Sequence, residues 1–375
     1  MAWGLALQFC FGLLILRWQV GQAVFGCLGR KVKTFLDFTD AGSGFVFGFL
    51  VTQQPFNTGS LENGTAAKQV AETINSGGAL NFVFMFKVLS IIYFFNFMVS
   101  ILFYLGVMRW LVEKLGWLLQ VTVGTTACES MNAAGNIFLG QTEAPLLIKP
   151  YLPDLTRSEL HAVMTGGFAT IAGSVLAAYI SFGISAAHLL SASVMSAPAA
   201  LAYAKLFYPE TQLSRTKAGA LAPAKSEDSN VLDAAANGAS QSVFLVGNIA
   251  GSLIAFLAFV AFLNGVLGWC GGLVGLPFLS FEWLLGWIFY PLAFIMGVPC
   301  GEPEPGCQDQ CRQVAILVGL KTIVNEFAAY DKLAQFRGCL SRRSQAIATY
   351  ALCGFSNPAS IGVQVVDCSV TWSVY

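Results

Sequence analysis

An all-α polytopic membrane protein is the fold class this sequence predicts, and three observations predict it. Hydrophobic residues fill 56% of the 375 positions and charged residues 11%, against roughly 25% charged in ordinary soluble chains, and the mean hydropathy is +0.66. Several uncharged runs reach the roughly 20 apolar residues that a bilayer-spanning helix needs. Two more apolar stretches carry stranded carboxylates beside Gly and Pro, the pattern of a helix that enters a membrane, breaks and returns. Lys plus Arg and Asp plus Glu both total 20, so no global basic surface draws the chain to nucleic acid. His161 and His188 are its two histidines, too few for a histidine-built metal centre.

Met1 opens into AWGLALQFCFGLLIL with no charged leading region and no small-residue cleavage site; a membrane helix is expected there, not a signal peptide. Gly29 to Asp40, GRKVKTFLDFTD, alternates basic and apolar residues at helical spacing and predicts an amphipathic helix at the cytoplasmic face. Asn63-Gly64-Thr65 fits a glycosylation sequon within a polar loop over 53–78. Leu89 to Met108, Ala162 to Ala187 and Ser344 to Val366 are uncharged and long enough to span. From Ala234 to Phe281 the chain runs 48 residues without a charge, room for one long tilted helix and a second apolar element. Further polar loops fall at 205–233 and 301–313. Cys10, Cys128, Cys270 and Cys353 lie in apolar runs as small hydrophobes. Cys300, Cys307 and Cys311 bracket GEPEPGCQDQ, where a disulfide and an irregular loop both fit.

The broken segments are Thr125 to Tyr151, with Glu129, Asn136, Gln141 and Glu143 in hydrophobic surroundings, and Ile316 to Tyr330, with Lys321, Asn325 and Glu326. Each is followed by a Gly-Phe helix rich in small residues: Phe168 comes 25 residues after Glu143 and Phe355 comes 29 after Glu326. Two matched units of this kind predict a transporter of structural repeats, with solute and ion held where the units meet. A carboxylate at mid-membrane costs about 2.5 to 3.5 kcal/mol by insertion scales. Glu143 and Glu326 must therefore be paired, protonated or bonded to something polar that arrives, and a hydroxyl-rich solute fits the last, with Gln141, Asn325 and Asn357 as further donors and acceptors and Phe355 as a flat wall for a ring. The competing reading is hydrogen bonding from helix to helix. For a monovalent cation, Asn136 and the Leu139 carbonyl at the first break, facing Thr170 and Ile171, offer oxygen ligands. Enzymatic readings fare worse: HExxH, GxGD and a phosphate-binding glycine loop are all missing, and Ser185 and His188, three apart, share a helix face where local bonding is the ordinary outcome.

The strings GNIFLGQTEAPLLIKPYLPDLTRSELHAVMTGGFATIAGSVLAAYISFG, SASVMSAPAALAYAKLFYPET, GLKTIVNEFAAY and ATYALCGFSN closely resemble the concentrative nucleoside transporters, the vertebrate sodium–nucleoside cotransporter family, from about Trp3 to Gly362. The resemblance implies a homotrimer in the plasma membrane, each subunit pairing a scaffold with a moving transport domain that holds two re-entrant hairpins, at about 125–150 and 308–334. On that basis 1–112 is scaffold and interfacial helices, 113–208 the first transport half, 209–278 a loop and long scaffold helix, 279–366 the second transport half and 367–375 a divergent tail. The family's nucleoside site maps to Gln141, Thr142, Glu143, Val175, Glu326, Phe355, Asn357 and Ser360, with the acids on ribose hydroxyls and Gln141 and Thr142 on the base. Its sodium site, for the coupling ion, maps to Asn136, Leu139, Thr170 and Ile171. Gly140 before QTEAP accompanies purine-accepting or broad selectivity in the family. Three departures from the family pattern are expected: the extra N-terminal membrane helices of vertebrate members are lacking; the middle has an insertion around GVPCGEPEPGCQDQCRQVA and family residues missing between NEFAAYDKLAQF and ATYALCGF; and the ending, VQVVDCSVTWSVY, diverges. The ending implies a truncated or alternatively spliced form, and with it a competing expectation: a non-transporting isoform that regulates full-length transporters through mixed trimers.

Overall fold

The computed structural model describes residues 2–52, 84–141, 143–214, 228–276, 278–300, 309–358, 360–362 and 364. Among these, all regular structure is helical. The longer α-helices are α1 (Ala2–Leu16), α2 (Gln19–Asp37), α3 (Thr39–Phe47), α4 (Ser90–Tyr104), α5 (Val107–Val123), α6 (Ala127–Gly135), α7 (Arg157–Ala169), α8 (Gly173–Ser181) and α9 (Ala186–Phe207). They continue as α10 (Val231–Leu273), α11 (Phe281–Ile288), α12 (Tyr290–Ile295), α13 (Gln310–Ile323), α14 (Glu326–Phe336) and α15 (Arg342–Leu352). Three helices, Met85–Tyr104, Ala186–Phe207 and Val231–Leu273, are each long and apolar enough to cross a membrane. A bent pair, Trp3–Leu16 and Gln19–Phe47, meets the same test jointly with an 81° break.

That break corrects the reading of the first hundred residues. α1 has 15 residues, under the roughly 20 of a full span, and Arg17 and Trp18 turn the chain into α2. The basic segment expected at 29–40 is the second half of α2 and the first residues of α3; α2 begins ten residues earlier and buries one stripe, Gly21, Gly29 and Leu36. The sequon at Asn63, Cys307 and the tail at 367–375 lie outside the described residues. Cys300 and Cys311 are free thiols, while Cys339 is disulfide-bonded.

The long uncharged run became α10, whose 43 residues extend about 65 Å at the helical rise of 1.5 Å per residue. That is twice a bilayer's hydrocarbon thickness of roughly 30 Å, so α10 is long enough to cross with tilt or to project beyond the bilayer. It presents Phe244, Ile254 and Trp269 outward, each at least two-thirds exposed, and packs its other side on α4. Apolar side chains facing out call for lipid or another subunit to cover them.

Two hydrophobic cores form, one around each broken segment. The smaller gathers Met131, Leu139, Leu147 and Ile148 of the first with Val112, Val163 and Leu201 from α5, α7 and α9. The larger gathers Val314, Leu317, Phe327 and Tyr330 of the second with Val175, Tyr179 and Leu189 from α8 and α9. Tyr179 is fully buried, its ring 5.2 Å from that of Phe327 and 4.3 Å from that of Tyr330.

Two uncharged runs expected as continuous spans are interrupted. The run 162–187 breaks between α7 and α8, where Thr170 (φ −117°, ψ 166°) and Ala172 (φ −65°, ψ 140°) are extended. The run 344–366 breaks after α15, with Cys353 extended and Gly354 at φ 103°. The two breaks hold each other open: the Phe355 amide donates to the Phe168 carbonyl at 2.9 Å. Unwound backbone inside a membrane protein survives where protein replaces the lost helical partners.

Candidate functional site

The first broken segment is anchored at its base and open at its tip. Thr126 and Glu129 close a capping box, with the Thr126 amide donating to Glu129 Oε2 at 3.0 Å. Lys205 of α9 pairs with the buried Glu129, donates to the Ser158 hydroxyl at 2.8 Å and reaches Glu210 at 3.7 Å. A second box, Thr156 with Glu159, starts α7 beside it. Glu129 is therefore a structural acid of the hairpin base. At Glu210, beyond the end of α9, burial opposes the charge, but the Thr156 hydroxyl, the Gln212 amide and Lys205 hold the carboxyl below the usual glutamate range.

Beyond α6 the chain turns at Asn136 and returns through a 3-10 helix, Pro145–Asp154, not the second α-helical limb of an ideal hairpin. Pro150 and Pro153 inside that limb lack the N–H donors an α-helix requires. The turn docks on the α7–α8 break: the Gly173 amide donates to the Phe138 carbonyl at 3.2 Å, and a Cβ built on Gly166 would lie 3.1 Å from Asn136 Nδ2.

The second broken segment follows the sequence expectation closely, its helices α13 and α14 meeting at Val324 and Asn325. Asn325 caps α14, its Oδ1 accepting from the Ala328 amide at 2.9 Å. Glu326 is thus the first helical residue and is 4% exposed, with a carboxylate at the favourable end of the helix dipole. Asn357 donates from Nδ2 to Glu326 Oε2 at 2.8 Å, and its own Oδ1 accepts from the Ser360 amide at 2.9 Å.

These parts enclose one cavity of about 120 Å³. Gln141 and Glu143 line it from the first tip, Val175 from α8, Glu326 from α14, and Phe355, Asn357 and Ser360 from the second break. Seven of the eight residues expected to hold solute thus share one chamber; Thr142 lies outside the described residues. Gln141 Oε1 is buried without a protein partner, an acceptor left for something that arrives. Gly140 also lines the chamber, and a Cβ there would stand 2.3 Å from Glu143 Oε2. A side chain at that position would displace the flexible end of the Glu143 carboxylate.

Sequence reasoning missed the fourth wall, where Leu245, Asn248, Ile249 and Ser252 of α10 line the same cavity. The signal was present: Asn248 and Ser252, four apart, share a helix face inside the uncharged run.

The residues expected to hold a cation meet at the first break. Asn136, 1% exposed, has both side-chain polar atoms without a protein partner. Thr170 donates its hydroxyl proton to the Gly166 carbonyl at 3.2 Å, which leaves the oxygen lone pairs for a cation. Leu139 and Ile171 are buried beside them. Unpaired neutral oxygen next to unwound backbone fits a hard monovalent ion; no cluster of three or more His, Cys, Asp or Glu able to hold a metal occurs among the described residues.

Three family profiles match: "Na+ dependent nucleoside transporter N-terminus" over residues 1–50, "Nucleoside recognition" over 85–186 and "Na+ dependent nucleoside transporter C-terminus" over 188–370. Solute carrier family 28 member 3 of Rattus norvegicus is 48% identical over 379 residues, covering 97% of this chain and 49% of that relative. Sodium/nucleoside cotransporter 2 of Rattus norvegicus is 44% identical over 378 residues, covering 96% and 52%. The chain spans about half the length of the curated relatives it matches. The structure of CNTnw in an inward-facing substrate-bound state superposes with a TM-score of 0.86 at 36% identity, covering 99% of this chain and 82% of that one. A doubly substituted CNTnw in an outward-facing state gives 0.85 at 36% identity, with the same coverage.

Proposed function

The chain belongs to the sodium-dependent nucleoside transporter family, and from that premise we propose that it carries nucleosides into the cell with sodium by alternating access. One observation carries the reading: Glu143 and Glu326, from two separately folded broken segments, line a single cavity together with Gln141, Asn357 and Phe355. Two acids facing one chamber, Glu326 buried and Glu143 half-buried, suit a solute with several hydroxyls, and the Phe355 ring suits a flat base. Glu326 accepts ribose hydroxyls on the carboxylate that Asn357 orients, and Glu143 accepts from the opposite wall. Gln141 and Thr142 meet the base; Val175 and Ser360 complete the wall. The absence of a side chain at Gly140 favours purine-accepting or broad selectivity.

Sodium is the second substrate, held at Asn136, Leu139, Thr170 and Ile171. It ties the first hairpin tip to the α7–α8 break, the same tip that brings Gln141 and Glu143 to the chamber. Ordering that tip raises nucleoside affinity, and by reciprocity bound nucleoside raises sodium affinity. Each sodium entering with the membrane potential contributes about 2.3 kcal/mol per 100 mV. In this reading 113–208 and 279–366 move as the transport unit against a scaffold of 1–112 and 209–278. CNTnw, solved in inward- and outward-facing states, supports alternating access as the mode of movement. The working form is a homotrimer in the plasma membrane.

Equilibrium binding of radiolabelled nucleoside to the purified chain tests the coupling. Affinity is expected to fall at least tenfold when sodium is replaced by choline at constant ionic strength, and equal affinity in the two salts would overturn it.

A further inference from the structure

The second break also carries a cation, and it belongs to the protein. Lys321 lies on the apolar helix α13, 7% exposed, and its ammonium donates to the carbonyls of Ala351 at 3.0 Å and Cys353 at 2.9 Å. Both carbonyls are freed where α15 stops and the chain unwinds. Thr170 and Cys353 each end the helix that follows their broken segment, each 27 residues after its acid (143 to 170, 326 to 353). Cys353 therefore holds in the second half the place that Thr170 holds in the first. The first broken segment has no basic residue from Thr125 to Ile148, and there the side chain facing the break is Asn136, with an amide that has no protein partner.

We infer that Lys321 is a tethered cation occupying the repeat-related counterpart of the sodium position, so that the first break takes its positive charge from solution and the second carries its own. This rests on the sodium-coupled reading above. Capping two carbonyls needs only a neutral donor, and burying an ammonium is expensive even with the Glu326 carboxylate attracting it from five residues away; the charge itself is what the position selects. A short neutral oxygen-bearing side chain at 321 leaves the Ala351 and Cys353 carbonyls facing a cation-sized gap, with a hydroxyl to complete it.

Three full-length chains purified in detergent test this: wild type, Lys321→Ser and Lys321→Arg. Equilibrium binding of radioactive sodium and thermal unfolding in sodium against choline are read on each. Wild type and Lys321→Arg are expected to bind one sodium per chain, and Lys321→Ser two. In choline Lys321→Ser unfolds at a lower temperature than wild type, and sodium restores the difference with a saturable dependence, as a ligand of the native state must. A folded Lys321→Ser chain that binds one sodium reduces Lys321 to a helix cap and overturns the inference. So does a Lys321→Ser chain that stays unfolded at saturating sodium. A wild-type chain that binds no sodium instead sinks the sodium reading of the first break, so the two failures are read on different proteins.

Discussion

Glu326 accepts from the Asn357 amide with the Tyr179 hydroxyl and the Lys321 charge nearby, and a carboxylate with about four lone-pair sites keeps acceptor capacity inside the chamber. A hydrogen bond to a charged group contributes about 1.5 to 3 kcal/mol, which corresponds to roughly a ten- to hundredfold change in affinity. Glu326→Gln and Glu143→Gln are each expected to weaken nucleoside binding by that factor and to reduce uptake to background, with surface labelling unchanged. Normal uptake in both variants would remove the acids from the site. Gly140 makes a different prediction. Its missing side chain leaves room for the Glu143 carboxylate, whose flexible end must shift once a Cβ stands 2.3 Å away. Gly140→Ser is expected to fold normally and to change the ratio of purine to pyrimidine nucleoside affinities in competition binding; an unchanged ratio at normal stability would separate Gly140 from selectivity.

At the scale of elements, helix starts and helix breaks do the positioning. Asn325 caps α14 and so fixes where Glu326 enters the chamber. Replacing such a cap by Ala costs about 1 kcal/mol, and Asn325→Ala is expected to lower thermal stability by that order while weakening nucleoside binding further than the stability loss accounts for. Binding as tight as wild type would show that the cap does not place the acid. The acids and amides of the two hairpins were legible in the sequence because polar groups stand out in apolar surroundings. Asn248 and Ser252 were not, because single polar residues in a long membrane helix ordinarily bond to a neighbouring helix. The break at Thr170–Ala172 was hidden for another reason. It contains neither Gly nor Pro and is stabilised from outside its own sequence, by the Gly173 to Phe138 and Phe355 to Phe168 hydrogen bonds. The second break did carry local signals in Gly354, at φ 103°, and Pro358 after Asn357, which disfavours helix at the residue before it.

Across the whole molecule, two cores, each built on one broken segment, meet at the chamber, and the long α10 forms its remaining wall. That arrangement places solute and cation at a junction between the two halves, where a small relative displacement of the wall against the hairpins opens or closes the site. The Leu245 to Ser252 stretch of α10 is expected to be the stationary side, so cysteines placed on it and on Gln141 should crosslink only when nucleoside and sodium are both bound; crosslinking insensitive to both ligands would argue against a moving contact. The most direct measurement is nucleoside uptake by the purified chain in proteoliposomes with an imposed sodium gradient and membrane potential. The account predicts accumulation above equilibrium that needs inward sodium, rises with an inside-negative potential and is lost in Glu326→Gln. Sodium-dependent binding without any accumulation would contradict transport by this chain.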